Sequence, residues 1–263
     1  MTESPDEEPS DISVAAHAIA VAKGSGSGIS VCDFVLGRAD MISPVAQRPQ
    51  RGKFISFEGL DGCGKSTQLE KLAGALRQQG IEVVTTREPG GTETGERIRA
   101  VLLDSRTAGL DPSAEMALMF ASRAQLIAEV ILPALEAGKW VLCDRFTDST
   151  EAYQGGGRQI GSAAVLRLHE VLCRGVWPDL TILMDSDVSS SVSRARRRNK
   201  SAEHDENRFE QESYAFFTRV HEAFLEIVRR EPQRVVVIDA RPPIEVVHEE
   251  IVQVVRERLL KGN

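Results

Sequence analysis

The chain has 263 residues, 41% of them hydrophobic and 27% charged, which is the composition of an ordinary soluble protein able to bury one good core. Its net charge of −7 is concentrated in residues 1 to 40, and the near-neutral remainder lacks the basic excess of a nucleic-acid-binding surface. No run of 18 consecutive apolar residues occurs and the start is acidic (Glu3, Asp6, Glu7, Glu8, Asp11) where a secretion signal would carry bases, so the cytoplasm is the expected setting.

Residues 1 to 52 mix acids, small residues and the run Gly24-Ser25-Gly26-Ser27-Gly28 with few large apolar side chains, and are expected to form a mostly disordered leader. Met41 stands ahead of the first strand as a possible second start of translation. The domain proper is expected over 53 to 263. Cys32, Cys63, Cys143 and Cys173 lie far apart without a CxxC pair, so free thiols are expected.

From residue 53, short apolar runs alternate with helical patterns, the mark of a parallel sheet covered by helices on both faces. Five strands are predicted, at Lys53 to Glu58, Glu82 to Thr86, Trp140 to Asp144, Leu180 to Asp185 and Arg234 to Asp239. Helices are predicted over 65 to 79, 94 to 104, 113 to 136, 162 to 174, 187 to 198, 208 to 230 and 243 to 260. Phe209, Phe216, Val220, Phe224 and Ile227 recur at helical spacing and read as core.

The first strand runs into Gly59-Leu60-Asp61-Gly62-Cys63-Gly64-Lys65-Ser66 and then into a helix with Leu69, Leu72 and Leu76. Strand, glycine loop and helix together make a phosphate-binding loop, and hence a nucleoside-triphosphate site. Its backbone N–H groups would cradle phosphate, Lys65 would reach the β- and γ-phosphates, and Ser66 would hold Mg²⁺. Thr67 would contact the α-phosphate. Cys63 reads either as an inert small residue or as a thiol activated by the helix end. Asp144-Arg145-Phe146 closes the third strand at the sheet edge where ligands of such folds bind. Asp144 could hold Mg²⁺ through water and Arg145 a phosphate; a strand-end salt bridge is the alternative. The run Arg194-Ala195-Arg196-Arg197-Arg198, followed by a polar segment and Arg208, reads as a solvated helix face or as a mobile cover over the triphosphate.

GLDGCGKSTQ, REPGGT at 87 to 92, FASRAQ at 120 to 125 and DRFTDSTEAYQGGGR at 144 to 158 occur in the order found in the thymidylate kinase family, which residues 53 to about 260 therefore resemble. The resemblance implies the α/β phosphate-loop nucleoside-monophosphate-kinase fold with strand order 2-3-1-4-5, a homodimer, ATP with Mg²⁺ as donor and thymidine monophosphate as acceptor. It also implies that Arg87 and Arg145 grip the acceptor phosphate, that Phe120 stacks on thymine, and that Arg123 donates to a base oxygen. Ser149, Tyr153 and Gln154 match the acceptor-site pattern, the tyrosine crowding out a 2′-hydroxyl and the glutamine lying near the base. Asp61 resembles the carboxylate that meets the acceptor's 3′-hydroxyl close to Mg²⁺. Gly62 leaves the loop without a catalytic cation, which the resemblance assigns to a lid over 194 to 208, to Arg194, Arg196 or Arg198, with Arg208 at the ATP site. That is the variant usual in bacteria, although Asn199 to Asn207 is longer and more acidic than its compact lid.

A kinase for deoxyuridylate or for pyrimidine monophosphates generally is the near rival. A nucleotide-driven switch is the distant one: Asn199-Lys200 is superficially similar to the guanine motif NKxD, but Ala202 stands where that motif has aspartate.

Overall fold

The computed structural model describes residues 51 to 107, 109 to 199, 208 to 209 and 211 to 260. The leader up to residue 50, Met41 and Cys32 with it, the lid segment 200 to 207 and the side chain of Arg198 lie outside the described residues. Arg51 and Gly52, the last residues of the expected leader, are described and contact the folded part, Arg51 through Asp179 at 3.7 Å. Gly52 N donates to Leu135 O at 2.9 Å, and a side chain on Gly52 would collide with the Lys139 carbonyl.

Five parallel strands, β1 (Phe54–Glu58), β2 (Val83–Arg87), β3 (Trp140–Asp144), β4 (Leu180–Asp185) and β5 (Val235–Asp239), form one sheet in the order β2-β3-β1-β4-β5, the order that the family resemblance implied. The central strand β1 is buried along its whole length, as expected of a strand covered on both faces. One face packs against α1 (Lys65–Gln78) and α8 (Ile244–Val255, running on to Leu260), through Leu69, Leu72, Leu76, Val247 and Ile251. The other packs against α3, which begins as Pro112–Leu126 and continues through a wider π-helical turn, Ile127–Ile131, into Leu132–Glu136. α3 is long and apolar enough to cross a membrane. Here it is a core helix, seating Phe120, Leu126, Ile127 and Ile131 beside the sheet residues Phe54, Val141 and Cys143.

Local chemistry sets the helix starts. Thr92 caps α2 (Glu93–Leu103) by accepting from Gly95 N. Asp111 caps α3, with Pro112 at the first helical position, where its missing N–H costs nothing. Ser213 caps α7 (Tyr214–Arg230), so this helix begins six residues later than the periodicity predicts, and Arg208 and Phe209 lie in a turn before it. In α7, Phe216, Val220, Phe224 and Ile227 are core as predicted, packed over Tyr153 and Leu183. By contrast α1 starts at Gly64, in the left-handed region with φ 100°, with no capping side chain and no acid in its first turn, which leaves its amide donors for an anion.

One element is absent from the predicted set. Thr147–Thr150 is helical and runs on as π-helical Glu151–Gly157; together they form α4, which carries the segment after Asp144-Arg145-Phe146. α5 (Ser162–Leu172), α6 (Val188–Asn199) and a short 3-10 turn, Ser105–Thr107, complete the described helices.

Candidate active site

A cavity of about 410 Å³ opens at the carboxyl edge of the sheet. Its lining brings Asp61, Gly62, Gly64, Lys65, Ser66 and Thr67 of the phosphate loop together with Arg123, Thr150 and Gln154 and with Arg87, Asp144, Arg145, Ser149 and Tyr153. The loop and residues of all three predicted acceptor motifs therefore face a single space.

Lys65 is buried, and its Nζ donates to Gly59 O at 3.1 Å and Leu60 O at 2.9 Å, so the cation is held over the loop that it closes. Ser66 Oγ donates to Asp144 Oδ2 at 2.5 Å. Leu60 is buried among apolar neighbours, so only its backbone can meet a phosphate. Cys63 is buried with its Sγ 3.8 Å from Lys65 Nζ, which fits the inert small residue better than an exposed reactive thiol. The three described cysteines are free.

Arg145 is the hinge of the site. It has φ 74°, a left-handed conformation uncommon outside glycine and a hallmark of functional turns. Its Nη1 donates to Gly59 O at 3.0 Å and to Ser149 Oγ at 2.8 Å, and its Nη2 to Asp61 Oδ1 at 2.8 Å. Nη2 also lies 3.2 Å from Tyr153 OH, which in turn donates to Asp61 Oδ2. Burial opposes the charge of Arg145, yet the adjacent Asp61 carboxylate holds its pKa well above the ordinary value. The guanidinium thus joins phosphate loop to acceptor side. Beneath it, Glu58 at the end of β1 accepts from Phe146 N and Ser149 Oγ; burial, with Asp148 nearby, pushes its carboxyl up to about 8.

Arg87 lines the cavity and makes a two-pronged pair with Glu96 at 2.9 and 3.1 Å. Arg123, which by itself would read as a solvated charge, is 1% exposed. Its Nε donates to Glu88 Oε2 at 2.7 Å and its Nη2 to Thr150 Oγ1 at 2.8 Å. Glu88 is buried too; burial raises its pKa, against the pull of Arg123.

Two expectations need correction. Phe120 is fully buried in the core, under the Arg123 guanidinium at 4.9 Å, and does not border the cavity, so it offers no face to a base. Met119, one residue earlier, borders it instead. It precedes Arg123 by four residues, the helical spacing that puts two side chains on one face. Arg208 is likewise buried, donating to Leu102 O and to Glu115 Oε2, each at 2.6 Å. In this structure those bonds hold it in the interior, and it is not among the residues that line the cavity.

Further cavity residues that the sequence left unassigned are Glu88, Pro89, Arg99, Leu103, Met119, Thr150 and Phe209. Phe209, read as core, is both core and cavity wall. Arg99 Nη1 donates to Pro89 O at 3.2 Å.

Of the lid arginines, Arg194 and Arg196 are exposed on α6. Arg196 donates to Glu212 O at 3.0 Å. α6 rests against the phosphate loop at Gly62, where a methyl group would lie 2.5 Å from Ser191 O and 3.1 Å from Arg194 Cβ. Gly62, with φ 83°, is therefore required both for the turn and for the approach of the helix that carries Arg194.

Strand order, phosphate loop, an arginine-bearing helix after β4 and the arginines Arg87, Arg123 and Arg145 lining the same cavity as the loop define a phosphate-loop nucleoside monophosphate kinase. The thymidylate kinase family model matches residues 57 to 251. The thymidylate kinase of Pelobacter propionicus is 47% identical over 210 residues, covering 79% of this chain and 96% of that one. That of Geobacter sulfurreducens is 46% identical over 209 residues, covering 79% and 98%. The crystal structure of thymidylate kinase from Ehrlichia chaffeensis superposes with a TM-score of 0.63 at 35% identity, covering 78% of this chain and 99% of that one. The chain belongs to the thymidylate kinase family and is a phosphotransferase.

Proposed function

We propose that the protein transfers the γ-phosphoryl group of ATP to thymidine monophosphate, giving ADP and thymidine diphosphate for thymidine triphosphate synthesis. The observation that carries this reading is the single cavity joining Lys65 and Ser66 to Arg123 and Gln154 through Arg145. The acceptor phosphate, with a second pKa near 6, is largely a dianion at neutral pH and needs little help from a general base. Catalysis then rests on alignment and charge neutralisation. Lys65 and the loop amides hold the donor phosphates, and Arg145 and Arg87 hold the acceptor phosphate, Arg87 exchanging Glu96 for it. Arg194, whose Cβ closely approaches the phosphate loop at Gly62, is the catalytic cation. Asp61 and Tyr153 face the acceptor sugar. Arg123 and Gln154 meet the edge of the base and Met119 its face. We also propose a cytoplasmic homodimer, as in the resemblance, to be observed at twice the chain mass in sedimentation.

The residues present fit Mg²⁺. Asp144 Oδ1 is buried without a hydrogen-bond partner among the described residues, and its Oδ2 is bonded to the Ser66 hydroxyl. Two hard oxygen ligands beside a phosphate site suit an ion that takes its remaining ligands from phosphate and water. Bound there, Mg²⁺ would supply positive charge to the phosphoryl oxygens. Asp144→Asn should raise the Mg²⁺ concentration for half-maximal rate by roughly tenfold, as outer ligands of metals do; an unshifted Mg²⁺ dependence excludes Asp144 from this role.

Exchanging one residue at a time separates Met119 from Phe120. Met119→Ala should raise KM for thymidine monophosphate by roughly tenfold through lost apolar contact, with little change in Tm. Phe120→Ala should instead cost about 3 to 5 kcal/mol of stability, read by denaturant unfolding. The reverse pattern would restore Phe120 as the base platform.

A further inference from the structure

Glu115, near the start of α3, is fully buried and its carboxylate gathers donors from two other segments. Arg158 Nε and Nη2 reach its oxygens at 3.1 and 3.0 Å, and Arg208 Nη2 reaches Oε2 at 2.6 Å. Gln154 Nε2 donates to Oε1 at 2.7 Å. Glu212 pairs with Arg158 at 2.5 Å, so two arginines balance two carboxylates and the buried cluster is neutral as a whole.

A carboxylate held between two guanidinium groups offers acceptors only. The two ends of a primary amide have nearly the same shape, so their assignment is dictated by the hydrogen bonds around them. Glu115 therefore takes the nitrogen of Gln154 and turns its carbonyl oxygen to the cavity that Gln154 lines. On the same wall, Arg123 Nη1 is a buried donor without a hydrogen-bond partner among the described residues. The wall thus presents one oriented donor and one oriented acceptor. A 4-keto pyrimidine complements both, since its O4 accepts and its N3–H donates. A 4-amino pyrimidine opposes both, because its N3 accepts and its amino group donates.

We propose that Glu115 is a positioning residue for base selection, fixing the amide of Gln154 so that the acceptor site takes 4-keto and rejects 4-amino pyrimidine monophosphates. The proposal rests on the reading that Arg123 and Gln154 meet the base edge. Sites that reject by leaving buried polar groups unpaired discriminate by several orders of magnitude; orienting the amide accounts for part of that.

The test is the ratio of kcat/KM for thymidine monophosphate to that for deoxycytidine monophosphate. A glutamine at 115 can donate as well as accept, freeing the neighbouring amide to turn over, so Glu115→Gln should lower the ratio by roughly 30-fold or more. Arg208→Lys, which loosens the cluster but keeps the bond from Gln154 to Glu115, should lower Tm and leave the ratio within about threefold. A folded Glu115→Gln protein with an unchanged ratio overturns the proposal, as does an equal loss in Arg208→Lys. Gln154→Ala tells the two layers apart: a ratio that survives it sinks the underlying reading of the base contacts, whereas a ratio lost in Gln154→Ala but kept in Glu115→Gln sinks only the orienting role. Should Glu115→Gln not fold, the wild-type protein gives the answer by NMR. The Gln154 side-chain N–H protons, assigned by difference from Gln154→Ala, should resist solvent exchange before any nucleotide is added, and free exchange contradicts the proposal.

Discussion

Replacing Lys65 with alanine is expected to lower kcat by roughly 10³-fold, the scale on which one preorganised cation or donor acts on developing charge, while the fold survives. Lys65 is buried, but its ammonium is bonded to carbonyls of its own loop, Gly59 O and Leu60 O, and supports no distant element. The loop's turns are set by glycine at 59, 62 and 64, all at positive φ, so its shape does not depend on the lysine. Lys65→Arg should recover little, because a planar fork cannot sit where a compact ammonium lies within 2.9 Å of one carbonyl and 3.1 Å of another. Single-turnover rates beside circular dichroism make the check. Turnover within tenfold of wild type would remove Lys65 from the catalytic group.

Arg145→Met should have a comparable effect on the other substrate. Its guanidinium bridges Gly59 O, Asp61, Ser149 and Tyr153, and losing it takes away the acceptor-phosphate contact and unmakes the ion pair of Asp61 at once. The expected loss is roughly 10³-fold in kcat/KM for thymidine monophosphate, about 4 kcal/mol of transition-state stabilisation, with donor affinity altered by no more than about threefold. Equilibrium binding of a fluorescent ATP analogue, run beside steady-state kinetics, distinguishes the outcomes. A loss that fell equally on both substrates would mean that Arg145 acts by holding the loop and not by gripping the acceptor.

The strands were legible because parallel strands covered on both faces read as apolar runs, and β3 and β4 begin and end where Trp140, Asp144, Leu180 and Asp185 place them. α4 escaped notice because Gly155-Gly156-Gly157 looks like a loop. Its glycines are needed for packing: a methyl on Gly157 would strike the Phe216 ring at 2.5 Å, and one on Gly156 would strike Ala223 Cβ at 2.6 Å. The phosphate loop is a contiguous motif and was readable as such. The acceptor wall is assembled from α3, α4 and the turn before α7, and only the fold reveals which side of each faces inward. That is why the resemblance points to Phe120 where Met119 borders the cavity, and why Arg208, near an arginine run in sequence, is held by Glu115 in the interior.

Acceptor-dependent turnover tests the central claim most directly. With purified protein, ATP and Mg²⁺, ADP should form only when thymidine monophosphate is added, one thymidine diphosphate appearing for each ADP and no phosphorylated protein accumulating. Steady ATP hydrolysis without an acceptor, or a covalent phosphoprotein trapped during turnover, would contradict direct transfer within this cavity.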